Sequence, residues 1–312
     1  MNPFQPPWWL KNCHLQSCLG MIFRPRFQQK LVWEELDLPD GDFVDLCWAG
    51  EPDRPIAILL HGLEGSFQSH YMQLMMKMLT ENGWQVVVMH FRTCSGRINR
   101  LARSYHASDT RDFEYLLEVL QKRYPHLPLV AVGFSLGGNV VLYHLAHHND
   151  SPLRASVAVS IPFEFDKTAD YIPPFYKWAL LRSMKYKLTQ KILLGQPIPA
   201  SIEEIKRVSN FRVLDELVTA PLNGFKNAKE YYERSSVRRL LRNIHHPTLI
   251  IHSKDDPFIP SSSIPHRVEL SDSISFDLLE RGGHVGFLHG PYPWRLERWF
   301  TNRILDFLQK SV

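Results

Sequence analysis

Apolar residues along this chain follow two alternating rhythms. Short unbroken runs closed by turn residues occur at PIAILLHG (Pro55–Gly62), WQVVVMHF (Trp84–Phe91), LPLVAVGF (Leu127–Phe134), LRASVAVSIP (Leu153–Pro162) and PTLIIHS (Pro247–Ser253). Runs of that length and composition predict strands covered on both faces, as in a parallel sheet. Between them lie stretches with apolar residues at helical spacing. YMQLMMKMLTENG (Tyr71–Gly83) ends in a glycine stop, and DTRDFEYLLEVLQKRYP (Asp109–Pro125) opens with acids and carries Phe113, Leu116, Leu117 and Leu120 on one face. DFVDLCWAG (Asp42–Gly50) alternates like a half-exposed strand, ISFDLLERGGH (Ile274–His284) reads as a late strand, and Tyr292–Ser311 reads as a terminal helix. Strands alternating with helices predict an α/β protein: a mostly parallel central sheet flanked by helices.

From about Pro162 to Asn243 the strand rhythm stops, and the chain becomes rich in aromatic and basic residues with few β-branched runs. The rhythm resumes at Pro247. The expectation is one domain over 1–312 with a helical cap inserted at about 162–243. No repeats or low-complexity segments interrupt it.

One joint in this pattern carries candidate chemistry. At Gly133-Phe134-Ser135-Leu136-Gly137 a buried strand turns directly into an amphipathic helix pattern over Asn139–Ala146, with Val140, Leu142, Tyr143 and Ala146 near helical spacing. A turn that sharp forces its central residue into strained backbone angles and presses the residues two positions either side together, so only glycine fits there. The hydroxyl of Ser135 is thereby lifted clear of the backbone at a helix N-terminus. A serine nucleophile needs a base, and the base needs an acid to hold and charge-compensate it. The elbow resembles that of the α/β-hydrolases, in which the order along the chain is serine, acid, histidine, each at a strand's C-terminal end. LIIHSKDDPFIP and LLERGGHVGF supply Asp256 and His284 in that order. Asp256 is preferred to Asp255 because Pro260 follows it four residues on, as in the usual acid loop; Asp255 is expected to cap the loop instead. The backbone N–H groups of Leu63, after the strand ending His61-Gly62, and of Leu136 are the expected oxyanion donors.

Composition narrows the class further. Apolar residues make up 44% and charged residues 22%, as in soluble globular proteins. Thirty-six basic residues against 32 acidic ones leave a formal charge of +4 with no long run, which argues against nucleic acid as a partner and leaves room for contact with a lipid surface. No stretch has signal-peptide or membrane-spanning character. The cysteines Cys13, Cys18, Cys47 and Cys94 form no C-x-x-C pair and read as reduced thiols in a cytoplasmic protein, with no metal site.

Longer motifs carry a resemblance. PPWWLKNCHLQS, LLHGLEGSFQSHY, VVVMHFRTCSGRINR, YHASDTRDFEYLL, AVGFSLGGNV, FRVLDELVTAPLNGF, LIIHSKDDPFIP and RGGHVGF together span nearly the whole chain and resemble the YheT-like esterase family of the α/β-hydrolase superfamily, relatives of the eukaryotic abhydrolase-domain lipid hydrolases. The resemblance implies an α/β-hydrolase fold, a Ser135–Asp256–His284 triad and hydrolysis of carboxylic esters through an acyl-enzyme, with neither metal nor organic cofactor. Thr93 stands where members usually have glycine, which bears on the shape of that turn. Phe163, Phe165, Tyr171, Phe175, Tyr176 and Trp178 are expected to line an apolar acyl pocket, suited to medium or long acyl or lipid esters. Two alternatives stand beside this reading: acyl transfer or thioester cleavage on the same triad, and a catalytically silent binding module, which the retention of all three residues disfavours. Oligomeric state is not legible in the sequence.

Overall fold

The unbroken apolar runs become neighbouring parallel strands in the computed structural model, which describes residues 4–22, 27–292 and 295–312. In chain order the elements are α1 (Cys13–Ile22), β1 (Val32–Asp37), β2 (Phe43–Ala49), β3 (Ile56–Leu60), α2 (His70–Glu81), β4 (Gln85–Met89), α3 (Arg111–Arg123), β5 (Leu129–Phe134), α4 (Leu136–His147) and β6 (Leu153–Val159). There follow α5 (Phe165–Tyr171), α6 (Pro174–Leu193), α7 (Ile202–Arg207), α8 (Phe211–Leu214), α9 (Ala220–Leu222) and α10 (Ala228–Ser235), with a π-helical turn at Asp215–Thr219 between α8 and α9. The chain then returns to the sheet as β7 (Thr248–Ser253) and β8 (Ile274–Leu279), and ends in α11 (Trp299–Gln309). The terminal helix expected from Tyr292 thus starts later; Pro293 and Trp294 of that reading lie outside the described residues.

The eight strands lie in the order β1-β2-β4-β3-β5-β6-β7-β8. β1 and β2 pair antiparallel with their neighbours, and every other pairing is parallel. Burial on both faces explains the unbroken runs. In β3, Ile56, Ile58 and Leu60 join the core that includes Phe113, Leu116, Leu117 and Leu120 of α3. Ala57 and Leu59 join the opposite core, with Met72, Met75, Met76 and Leu79 of α2 and Phe300, Ile304 and Leu308 of α11.

Two expectations need correction. β2 is buried along its whole length rather than half-exposed. Its neighbour β1, which lacks a clear period, covers its edge. The Asp45 carboxylate that suggested a solvent face is paired with Arg97 at 2.8 Å. Asp42, just before the strand, is fully buried against Arg92 at 2.9 Å. Likewise α4 is buried nearly all round, from Leu136 to Leu142 without a break, because it lies beneath the helices that follow β6 as well as against the sheet. Among the described residues no helix is long and apolar enough to cross a membrane.

Candidate active site

Ser135 sits between β5 and α4 with φ 51° and ψ −120°. Left-handed backbone at a non-glycine residue costs of order 1–3 kcal/mol, so the surroundings must enforce it. The enforcement is steric and local. A Cβ on Gly133 would lie 2.4 Å from the carbonyl oxygen of Gly137, and one on Gly137 would lie 2.5 Å from the carbonyl oxygens of Leu60 and His61. The elbow is therefore wedged against β3 and the turn after it, and the Ser135 amide donates to the Val159 carbonyl at 2.8 Å.

The structure brings Ser135, Asp256 and His284 together although they are far apart in sequence. Asp256 Oδ2 is 2.8 Å from His284 Nδ1, and His284 Nε2 is 3.1 Å from Ser135 Oγ. A carboxylate can only accept, so the proton sits on Nδ1 and Nε2 is free to accept from the serine hydroxyl. Asp256 is 2% exposed, and its other oxygen accepts the Phe258 N–H at 2.8 Å. Asp255 turns elsewhere: its Oδ1 accepts the Gly283 N–H at 2.9 Å, the loop-capping role expected of it.

Three residues that sequence reasoning passed over complete the support of His284. Phe258 stacks on its imidazole, centroids 4.2 Å apart and planes 2° from parallel. Ser17 Oγ, on α1, accepts the His284 N–H at 2.8 Å while donating to the Cys13 carbonyl at 2.8 Å. Ser160 Oγ accepts the Val285 N–H at 3.0 Å. Three successive loop amides, 283 to 285, are thus held by side chains from three separate segments. A Cβ on Gly283 or on Gly286 would meet the α1 backbone, at Cys13 O and Gln16 O, within 2.5 Å. The N-terminal motif PPWWLKNCHLQS was the available signal, and its role is to buttress the histidine loop. Ser17→Ala is expected to lower kcat by about five- to tenfold, the worth of roughly 1 kcal/mol of lost positioning, with KM nearly unchanged. Steady-state kinetics on a soluble ester check this, and Ser17→Thr should recover most of the loss.

The turn after β3 approaches Ser135 closely: a Cβ on Gly62 would lie 3.2 Å from the Ser135 Cβ. Its amides are mostly committed. Gly62 N donates to Tyr71 Oη at 3.0 Å, Glu64 N to Tyr105 Oη at 2.9 Å, and Gly65 N to the Gly62 carbonyl at 3.0 Å. The Leu63 N–H has no acceptor among the described residues. Leu136 is the first residue of α4, and the first amides of a helix have no acceptor within it. His61 is buried beneath this turn, its imidazole pushed down to about 3 chiefly by burial. Neutral, it accepts the Phe91 N–H at Nε2 and bonds the Gly62 carbonyl through Nδ1. Glu64 ties the turn to α6 through Ser183 and through Lys187, 2.8 Å away. Nearby Thr93 adopts φ 70°, so the turn keeps a glycine-like conformation despite its β-branched residue.

Ser135, His284, Leu63 and Leu136 open on a cavity of about 660 Å³ whose wall is largely apolar. Its lining corrects the aromatic expectation. Phe165 and Tyr176 line it, joined by Leu180, Met184 and Leu188 of α6, while Phe175 borders it and is itself 68% exposed. Phe163 is fully buried in the core, and Tyr171 and Trp178 are largely exposed, Trp178 lying under the Arg182 guanidinium. Two ionisable groups on the wall are shifted toward neutrality. Burial pushes the Asp215 carboxyl up to about 6, against hydrogen bonds from Tyr232 and Thr219. Burial also pushes the Lys191 amine down to about 7, while its Nζ donates to the carbonyls of Leu101, Ala102 and Arg103. Such a cavity suits an uncharged, hydrocarbon-rich ligand.

The α/β hydrolase fold family matches residues 55–291 of the chain. The chain is 39% identical to "Putative esterase YheT" of Escherichia coli (strain K12), over 98% of this chain and 92% of that protein. It is 26% identical to "Phospholipase ABHD3" of Bos taurus, over 99% of this chain and 79% of the relative. Among solved structures, the esterase Pf2001 of Pyrococcus furiosus superposes with a TM-score of 0.59 at 16% identity, covering 92% of this chain and 98% of that one, a likeness of fold. The kinship read from the motifs holds.

Proposed function

This chain belongs to the α/β-hydrolase fold family and is a carboxylic ester hydrolase of the esterase/lipase type, and from that premise we propose that it cleaves esters of medium or long apolar acids through an acyl-enzyme on Ser135. His284 takes the serine proton at Nε2 as Oγ attacks the ester carbonyl, and Asp256 holds the imidazole and balances the charge it gains. The Leu63 and Leu136 amides receive the developing oxyanion. His284 returns the proton to the departing alcohol, then activates a water that frees the acid and regenerates Ser135. The observation that carries this reading is the hydrogen-bonded series Ser135–His284–Asp256 at the mouth of the apolar cavity. In this reading the chain is a single domain, and the stretch of about 162–243 acts as a cap whose α5 and α6 supply the acyl wall. A relative named as a phospholipase supports lipid esters as the substrate class.

An acyl-length series of p-nitrophenyl esters tests it. Each buried methylene adds about 0.8 kcal/mol, so kcat/KM should rise roughly a hundredfold from butyrate to octanoate if four methylenes enter the cavity. Met184→Trp, filling the wall, should move the optimum to shorter acids without lowering turnover on acetate. A profile that peaks at acetate and ignores the Trp substitution contradicts the acyl-pocket assignment.

A further inference from the structure

The end of α4 opposite Ser135 carries a second group of chemistry-bearing side chains that the reaction does not use. His144 lies in the last turn of the helix, and His148 caps it one turn further on. Glu114 reaches both from α3. Its Oε1 is 3.3 Å from His144 Nδ1 and 3.0 Å from His148 Nε2, and the three donor atoms all lie within 4.8 Å of one another. We propose that Glu114, His144 and His148 form a binding site for a divalent cation of the zinc class, which clamps α3 to the end of α4.

Four observations support the assignment. The donor set, two imidazoles and one carboxylate, suits zinc, nickel or copper rather than magnesium or calcium. Bonds of about 2.0–2.1 Å around a tetrahedral ion place neighbouring donor atoms about 3.3 Å apart, and two of the three separations are already 3.3 and 3.0 Å. The third, His144 Nδ1 to His148 Nε2, is within 4.8 Å, and the two rings stack with centroids 4.7 Å apart, so binding turns the His148 side chain, which is 41% exposed, off that stack. Second, a partner for the outer nitrogen of the buried ligand is in place: Ser151 Oγ lies 2.9 Å from His144 Nε2. A cation on Nδ1 leaves the ring proton on Nε2, where that hydroxyl oxygen accepts it and orients the ring. Third, the cluster sits at the C-terminus of α4, where the partial negative charge of the unsatisfied carbonyls favours a cation. Fourth, the side chains of Glu114 and His148 remain partly exposed while His144 is buried, so an ion can enter from one side and keep water as its fourth ligand.

His147, the intervening histidine, is turned away. Its Nδ1 bonds the Tyr143 carbonyl at 2.7 Å and its ring packs on Tyr143. It therefore serves as the internal control. His144 and His148 lie nine and thirteen residues along the helix from Ser135, about 14 and 20 Å at 1.5 Å per residue. The site should act on stability and leave ester hydrolysis alone.

The test uses the full chain, without an added histidine tag, stripped with chelator and titrated with zinc chloride by calorimetry. One equivalent should bind in the micromolar range, and at about a hundredfold excess over Kd the melting temperature should rise by several degrees. His148→Ala and Glu114→Gln should each weaken binding by tenfold or more, with hydrolysis of p-nitrophenyl butyrate unchanged and with His147→Ala binding normally. Absence of a saturable equivalent overturns the proposal. So does binding that survives His148→Ala and Glu114→Gln, or binding that His147→Ala abolishes as fully as they do.

Discussion

Ser135→Ala is expected to lose ester hydrolysis by at least three orders of magnitude while unfolding at nearly the wild-type temperature. The loss is large because in the proposed reaction Ser135 Oγ is the atom that forms the covalent bond, and the remaining donors and cavity can only bind the ester and polarise it. Removing one member of such a triad typically leaves a residual rate from the oxyanion donors and binding alone. Stability should hold because the substitution keeps the Cβ and removes one hydroxyl, whose recorded partner is His284 Nε2 at 3.1 Å. The elbow itself is held by Gly133 and Gly137, and the amide bond to Val159 does not involve the side chain. Steady-state kinetics beside a thermal melt decide the matter. Near-normal turnover in the alanine variant would remove Ser135 from the reaction.

The second large effect separates two adjacent carboxylates. Asp256→Asn is expected to lower kcat by about a thousandfold or more, because an amide can donate to Nδ1 and so favours the tautomer whose Nε2 carries the proton. That imidazole cannot accept from Ser135. Asp255→Asn should cost less than tenfold: the Asn Oδ1 can still accept the Gly283 N–H, and Asp255 does not touch the imidazole. Asp255 is nonetheless poised in a demanding place, its carboxyl raised chiefly by burial, so a modest stability change is compatible with this account. Equal losses at the two positions, or the reverse order, contradict the assignment.

What the sequence made legible divides along the range of the forces involved. The elbow could be read because its constraint is local: the contact of Gly133 with Gly137 is a demand on five consecutive residues. The buried parallel strands could be read because covering both faces writes itself as an unbroken apolar run. β2 was misread as half-exposed because the partners of Asp42 and Asp45 are arginines about fifty residues away, and alternation alone cannot reveal a buried ion pair. Ser17 and Phe258 escaped for the same reason. One is a serine in an N-terminal helix whose partner is the His284 amide, and the other is a loop phenylalanine recognisable only once its ring lies on the imidazole. The aromatic wall was half right. Tyr176 and Trp178 look alike in sequence, yet helical phase on α6 turns the first to the cavity and leaves the second, like Phe175, largely in solvent, and the chain supplies Leu180, Met184 and Leu188 where rings were expected.

The central claim is a covalent intermediate on one particular hydroxyl, and intact-protein mass spectrometry after treatment with a fluorophosphonate tests it most directly. The account predicts a single adduct, mapped by peptide sequencing to Ser135, formed at a rate that falls at least a hundredfold in a His284→Ala variant and absent from Ser135→Ala. A stoichiometric adduct on any other residue, or an unlabelled but fully active enzyme, would contradict it.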